Sequence, residues 1–245
     1  MTAKDSTPSY DNVGDSIAAT NAGWTFSGDV PDNFSEHVRR SIPLYDIGHD
    51  VVCKLSDYFV SHDSICYEIG VSVGELIAKL ARHNQSKKAK WTGIDVEEAM
   101  VRKARENTIH LPNVAIELAD AVLYDFEKAD LIVSYYTIQF ISPKFRQDLI
   151  NRIYESLNWS GAFIWFEKVR GPDARFQDIL TTLYTDFKLD QKFTPEEIVA
   201  KTRSLKGILE PFSTQGNLDL LKRAGFVDIM TVMKYLCFEG FLAIK

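Results

Sequence analysis

Apolar and polar positions along this chain change period in a regular order. The run Ser64 to Ile69 is short, rich in β-formers and bounded by the polar His62-Asp63, the pattern of a buried strand. Val73, Leu76, Ile77, Leu80 and Ala81 then fall at i, i+3, i+4, i+7 and i+8, one apolar face of a helix. Further blocks follow. Lys90 to Asp95 reads as a strand, Glu97 to Asn107 as a helix, and Val114 to Leu118 and Ala129 to Tyr136 as strands. Pro143 to Leu157 reads as a helix with Phe145, Leu149, Ile153 and Leu157 at spacing four, and Gly161 to Glu167 as the fifth strand. Strands alternating with helices predict a parallel sheet covered on both faces.

The rhythm changes at both ends. Asn33 to Arg40 and Tyr45 to Phe59 read as helices, divided at Ile42-Pro43 because proline disfavours helix in the residue before it. After Glu167, residues 171–212 read as an inserted helical cover made of Ala174 to Phe187 and Pro195 to Leu209. Thr194-Pro195-Glu196-Glu197 carries a cap, a proline at the first helical position and acids in the first turn. A helix from Gly216 to Ala224 precedes two strands, Val227 to Leu236 and Phe238 to Ile244, whose tight connection makes them antiparallel. Residues 1–22 are polar and small and are expected to form a mobile tail, leaving 23–245 as a single domain.

The length of 245 residues suits one large α/β domain, and the 45% apolar content permits a proper core. A net charge of −6 without a basic run argues against direct nucleic-acid binding, which needs clustered Lys and Arg. Cys53, Cys66 and Cys237 lack metal-ligand spacing, so no metal is expected. No apolar run is long enough to cross a bilayer or to act as a signal peptide, which makes the reducing cytoplasm the expected compartment.

The candidate chemistry lies between the first strand and its helix, in Glu68-x-Gly70-x-Ser72-x-Gly74. Gly70 and Gly74 leave room for a ligand to approach backbone N–H groups at a helix start. The next strand ends in Asp95, where a carboxylate can accept both hydroxyls of a ribose. The third ends at Asp120-Ala121, placed for an adenine amino group and ring nitrogen, and the fourth ends at Tyr135. This spaced series favours a nucleoside cofactor site of the S-adenosyl-L-methionine (SAM) type. Gly70-x-Ser72-x-Gly74 also fits a serine nucleophile elbow, but that chemistry needs a late histidine, and the last histidine is His110. A glycine turn that only packs a helix on a sheet would not explain the acids at successive strand ends.

From about Gly23 to Lys245 the chain resembles the class I SAM-dependent methyltransferases, and more narrowly the carboxy-SAM synthases of the tRNA wobble-uridine modification pathway. The N-terminal residues that carry the resemblance are Asn33-Phe34-x-x-His37-Val38-Arg39-Arg40-Ser41-Ile42-Pro43-x-Tyr45 and Tyr67-Glu68-Ile69-Gly70-x-Ser72-x-Gly74. Gly93-Ile94-Asp95, Thr137-Ile138-Gln139-Phe140, Glu167-Lys168, Asp186-Phe187-Lys188 and Arg203-Ser204-Leu205 continue it. The resemblance implies a Rossmann-like seven-stranded sheet, parallel with a C-terminal antiparallel hairpin, and a homodimer. It implies conversion of SAM and prephenate to carboxy-SAM and phenylpyruvate, with cofactor contacts at Tyr45, Gly70, Ser72, Asp95, Asp120 and Ala121. It puts the family's distinguishing arginine at Arg203, paired with the carboxylate of carboxy-SAM. Three positions depart from the family's usual residues: Glu68 for Asp, Val96 for Asn beside the ribose acid, and Tyr135 for Asn at a strand tip expected to touch the cofactor and take part in catalysis. A conventional methyltransferase acting on a small molecule and a catalytically silent SAM-binding protein stand as alternatives.

Overall fold

In a computed structural model of the chain, residues 11–15, 17–28 and 30–245 are described. The N-terminal part contains β1 (Asp11–Asn12), β2 (Ala18–Ala19), α1 (Val30–Ser41) and α2 (Tyr45–Ser56). The sheet then builds through β3 (Ile65–Ile69), α3 (Glu75–His83), β4 (Lys90–Asp95), α4 (Glu98–Thr108), β5 (Val114–Leu118), β6 (Ala129–Tyr135), α5 (Pro143–Ser156) and β7 (Leu157–Lys168). The inserted helices are α6 (Ala174–Asp190) and α7 (Pro195–Ser204), followed by α8 (Thr214–Ala224), β8 (Asp228–Tyr235) and β9 (Phe238–Ile244).

Seven strands form one sheet in the order β5-β4-β3-β6-β7-β9-β8. The first five are parallel, and β9 runs antiparallel to both β7 and β8. This is the expected doubly wound sheet with its C-terminal hairpin. The hairpin turns back so that its second strand lies inside. Six of the seven β9 residues are buried, whereas β8 is largely exposed at the edge. Phe238, Phe241 and Leu242 can be buried on both faces, while Thr231 and Lys234 suit an edge strand.

The period of two sorts the core into two layers. Leu131, Val133, Ile164 and Phe166 point to the face covered by Val52, Ile77 and Leu80. Ile132, Phe163 and Trp165 point to the other, against Leu149 and Ile153 of α5. The chain winds outward from β3 in one direction and returns at β6 to wind in the other. The crevice of an open α/β sheet therefore falls beyond the tips of β3 and β6.

Residues 11–15 and 17–22 are not the tail expected of them. β1 and β2 pair, and Val13, Ile17 and Ala19 are buried against Trp24 and Met100. The Asp15 carboxylate, its side chain shielded from solvent, lies 2.7 Å from Nδ1 of His37 and pairs with Arg40. His37 and Arg40 lie on α1 and Met100 on α4, so local composition could not reveal them. Residues 1–10 of the expected tail lie outside the described residues. Several helix ends also shift: α2 stops at Ser56, α6 extends to Asp190 and α7 stops at Ser204. Among the described residues no helix is long and apolar enough to cross a membrane.

Candidate functional site

A cavity of about 980 Å³ opens at the carboxyl ends of the central strands. Its floor includes Glu68, Gly70, Asp95, Tyr135 and Lys168, and α1 and α2 contribute His37, Val38 and Tyr45. The inserted helices line it through one stripe each: Gln177, Leu180, Thr181, Tyr184 and Lys188 on α6, and Ile198, Lys201 and Thr202 on α7. The cap expected at the start of α7 is a reciprocal capping box, with Thr194 Oγ1 accepting from Glu197 N at 3.2 Å and Glu197 Oε2 accepting from Thr194 N at 2.9 Å.

One wall is acidic. Glu68 is buried in β3 and accepts a hydrogen bond from the Ile77 backbone N–H, yet its Oε2 has no partner among the described residues. Burial pushes its carboxyl well above the usual range, and the Asp95 charge adds to this. Asp95 ends β4. Its Oδ2 accepts from Ser72 N at 2.8 Å and its Oδ1 from Glu97 N at 3.0 Å. Burial raises its pKa, and these N–H groups and that of Val96 work against the rise. Ser72 adopts φ +52°, a turned conformation that aims its N–H at the carboxylate.

The glycines also serve contacts within the protein. A Cβ on Gly70, at φ +74°, would lie 2.0 Å from Thr137 Oγ1, and one on Gly74 would press on the Ala104 backbone of α4 at 3.2 Å. Both let protein approach protein. Gly74 does not line the cavity, nor do Asp120 and Ala121. Asp120 is exposed and its Oδ1 accepts from Val122 N at 2.9 Å, closing the turn after β5, while Ala121 packs against the second core layer. Ala119 N donates to the Asp95 carbonyl at 2.9 Å, so this turn sits beside the ribose candidate. Val96 is two-thirds exposed and lines the cavity.

Tyr135 does reach the expected strand tip, but its hydroxyl donates to the Tyr45 backbone carbonyl at 2.6 Å. Its ring packs among Tyr45, His49, Tyr136 and Phe166. Gly48 makes room for it, since a Cβ there would lie 2.1 Å from the Tyr135 hydroxyl. Tyr135 thus braces β6 against α2 while lining the cavity at the strand tip. Tyr136 follows at φ +60°, rare for a bulky residue. Gln139 holds that turn by donating to the Tyr136 carbonyl at 2.9 Å and accepting from Lys168 N at 2.9 Å. This gives the Thr137-Ile138-Gln139-Phe140 stretch a structural reason.

Cations line the cavity too. Arg203 is exposed to the cavity in the last turn of α7 and has no carboxylate partner among the described residues. Its helix end is tied to the N-terminal segment by Ala22 N donating to Arg203 O at 2.9 Å and Trp24 N to Ser204 O at 3.1 Å. Lys168, Lys188 and Lys201 also line the cavity, and sequence reasoning missed them as site residues. Burial pushes Lys201 well below its usual range and Lys188 down to about 8, in each case with help from a neighbouring lysine. Lys168 and Lys188 stand in stretches that carry the resemblance, but nothing local in the sequence shows that three lysines on two helices and a strand meet.

Asp46, His49 and Glu75 bring ligand-type atoms within 4.8 Å of one another. Arg39 already bridges both carboxylates at 2.8 Å, and Lys79 lies 3.3 Å from Asp46. Two cations of the protein thus hold the acids that a metal ion would need.

Residues 67–161 match the sequence family described as "Methyltransferase domain". The chain is 34% identical over 223 residues to the carboxy-S-adenosyl-L-methionine synthase of Staphylococcus epidermidis, covering 91% of this chain and 97% of that protein. It is 33% identical to the synthase of the same description from Sulfurimonas denitrificans, covering 91% of this chain and 94% of that one. Among solved structures, the human N-acetylserotonin methyltransferase in complex with SAM superposes with a TM-score of 0.61 at 18% identity, covering 89% of this chain and 56% of that one. A SAM-dependent methyltransferase from Aquifex aeolicus does so at 0.57 and 16%, covering 87% and 97%. Those structures share the fold, and the identity to the synthases spans nearly their whole length. The chain is an enzyme of methyltransferase fold that belongs to the carboxy-S-adenosyl-L-methionine synthase family.

Proposed function

We propose that this enzyme converts SAM and prephenate to carboxy-SAM and phenylpyruvate. The observation that carries the reading is one cavity, at the point where the sheet reverses direction, lined by Glu68 and Asp95 and also by Lys168, Lys188, Lys201 and Arg203, none of these four ion-paired among the described residues. A sulfonium nucleoside suits the carboxylates and a dicarboxylate the cations. The acidic wall fits the nucleoside. Asp95 accepts backbone N–H groups of Ser72, Glu97 and Val96 and keeps one lone pair for a ribose hydroxyl. The orphaned Glu68 Oε2 offers an acceptor to the amino acid end. The Gly70–Gly74 loop and Tyr45 flank the methionine part, and Asp120 with Ala121, beside Asp95, takes the adenine edge.

When bound, SAM supplies the sulfonium methyl, which exchanges a proton for the carboxyl that prephenate loses. The proton leaves with the ring hydroxyl as water, so the reaction balances as carboxy-SAM, phenylpyruvate and water. Arg203 recognises the carboxylate newly formed on the nucleoside, a charge that ordinary methyl transfer never creates. The helices α6 and α7 exclude water from the cavity.

Incubation of the protein with SAM and prephenate, followed by mass spectrometry of the nucleoside, tests the proposal. Carboxy-SAM is expected from the wild type and not from Arg203→Ala. Wild-type protein that leaves SAM unchanged overturns the reading in favour of a silent binder, and methylation of another small molecule overturns it in favour of a conventional methyltransferase. We also propose a cytoplasmic homodimer, supported by three buried free cysteines and by the exposed Phe176, Ile179 and Leu183 on one side of α6. Sedimentation equilibrium reads the oligomeric state, and a monomer at micromolar concentration refutes it.

A further inference from the structure

We propose that Lys168 and Lys188 form a second carboxylate subsite, separate from Arg203, which takes the carboxylate that the co-substrate keeps. The inference rests on the reading above, that the co-substrate is a dicarboxylate. Lys168 ends β7 and Lys188 lies in the last turns of α6, so two distant elements bring the amines together. Their Nζ atoms lie 4.1 and 4.6 Å from the centroid of the same ring, Tyr184. Lys188 is only 8% exposed, and neither amine has a hydrogen-bonded or ion-paired partner among the described residues.

Among the described residues nothing around the pair supplies the missing charge. The groups facing them are the Tyr184 and Phe238 rings, the Arg170 guanidinium, the Lys201 amine and Cys237. Burial raises the Cys237 thiol above its usual value, so it stays neutral at physiological pH. Two ammonium groups shielded from water and from any counter-charge repel each other and lack solvation. Lys188 registers this, held down to about 8 by burial and then by Lys168. An anion that enters between them relieves both effects. The two lysines line the same cavity as Arg203, and the aromatic rings beside them suit a cyclic co-substrate.

The chemistry divides the two carboxylates. One is transferred and ends on the nucleoside, where Arg203 meets it. The other stays on the keto acid from start to finish, so a fixed pair of point charges can hold it in both substrate and product.

Calorimetry with phenylpyruvate, on protein loaded with S-adenosylhomocysteine, reads the subsite without turnover. Lys188→Met and Lys168→Met are each expected to weaken phenylpyruvate binding and raise the prephenate KM about ten- to hundredfold, the loss of one charge-assisted hydrogen bond. S-adenosylhomocysteine affinity should change less than about twofold in these variants, a mark of an intact nucleoside site. Arg203→Ala should bind phenylpyruvate as the wild type does. Lysine variants that bind phenylpyruvate like the wild type, or a wild type that binds no keto acid, overturn the subsite. If the wild type binds phenylpyruvate through these lysines yet does not turn over prephenate, the subsite stands and the proposed reaction falls. If prephenate turns over equally in wild type and lysine variants, the reaction stands and the subsite falls.

Discussion

The Asp95 carboxylate and the Ser72 backbone N–H meet at 2.8 Å across 23 residues of chain. The bond ties the loop after β3 to the tip of β4, where Asp95 lines the cavity. Asp95→Ala removes both the tie and the ribose acceptor. Affinity for S-adenosylhomocysteine in calorimetry should fall by about 3 kcal/mol, roughly a hundredfold. A loss below threefold would mean the nucleoside binds elsewhere.

Gly70→Ala should destabilise the protein by about 2–4 kcal/mol, because the clash with Thr137 adds to the cost of a side chain at positive φ. Urea unfolding measures it. A near-neutral outcome would show that Thr137 swings away freely.

Tyr135→Phe deletes the donor to the Tyr45 carbonyl, and stability should drop by about 1 kcal/mol. The midpoint of thermal unfolding registers this. Turnover lost a hundredfold with unchanged stability would assign the hydroxyl a catalytic part.

Glu167 is buried on β7, and burial raises its pKa to about 8. An unfolded glutamate loses its proton near pH 4.5, whereas the native one keeps it to about 8. The native state therefore binds the extra proton in that window, and stability should fall as pH rises through it. Glu167→Gln should flatten this slope when urea midpoints at pH 5.5 and 8 are compared. Equal slopes in both proteins would place the ionised carboxylate in the native state at neutral pH.

Removal of residues 1–22 severs the contact between Ala22 N and Arg203 O and strips Val13 and Ile17 from the cluster around Trp24. Carboxy-SAM formation should fall more than tenfold while S-adenosylhomocysteine still binds, since the Gly70 loop and Asp95 stay in place. Full activity in the truncated protein would free α7 from this dependence.

The periodicity read directly as structure wherever an element satisfies itself locally. The strand of Ile65–Ile69, the face of α3 and the capped start of α7 all follow from neighbours a few residues away. Asp95 and Arg203 could be singled out from a strand end and from resemblance. Tyr135 could not be understood that way, because what occupies its hydroxyl is a carbonyl 90 residues earlier.

Alternating apolar patterns, turn residues and spaced acids determined that this chain forms a doubly wound sheet with its chemistry at the strand tips. Those are short-range properties: side chains alternate every two residues in a strand and return every three to four in a helix. Tertiary structure alone decided that residues 11–15 and 17–22 pack, that Gly70 and Gly74 also serve contacts within the protein, and that Lys168, Lys188 and Lys201 share a cavity with Arg203. Burial and the pairing of charges depend on which distant elements meet, and no local period encodes that.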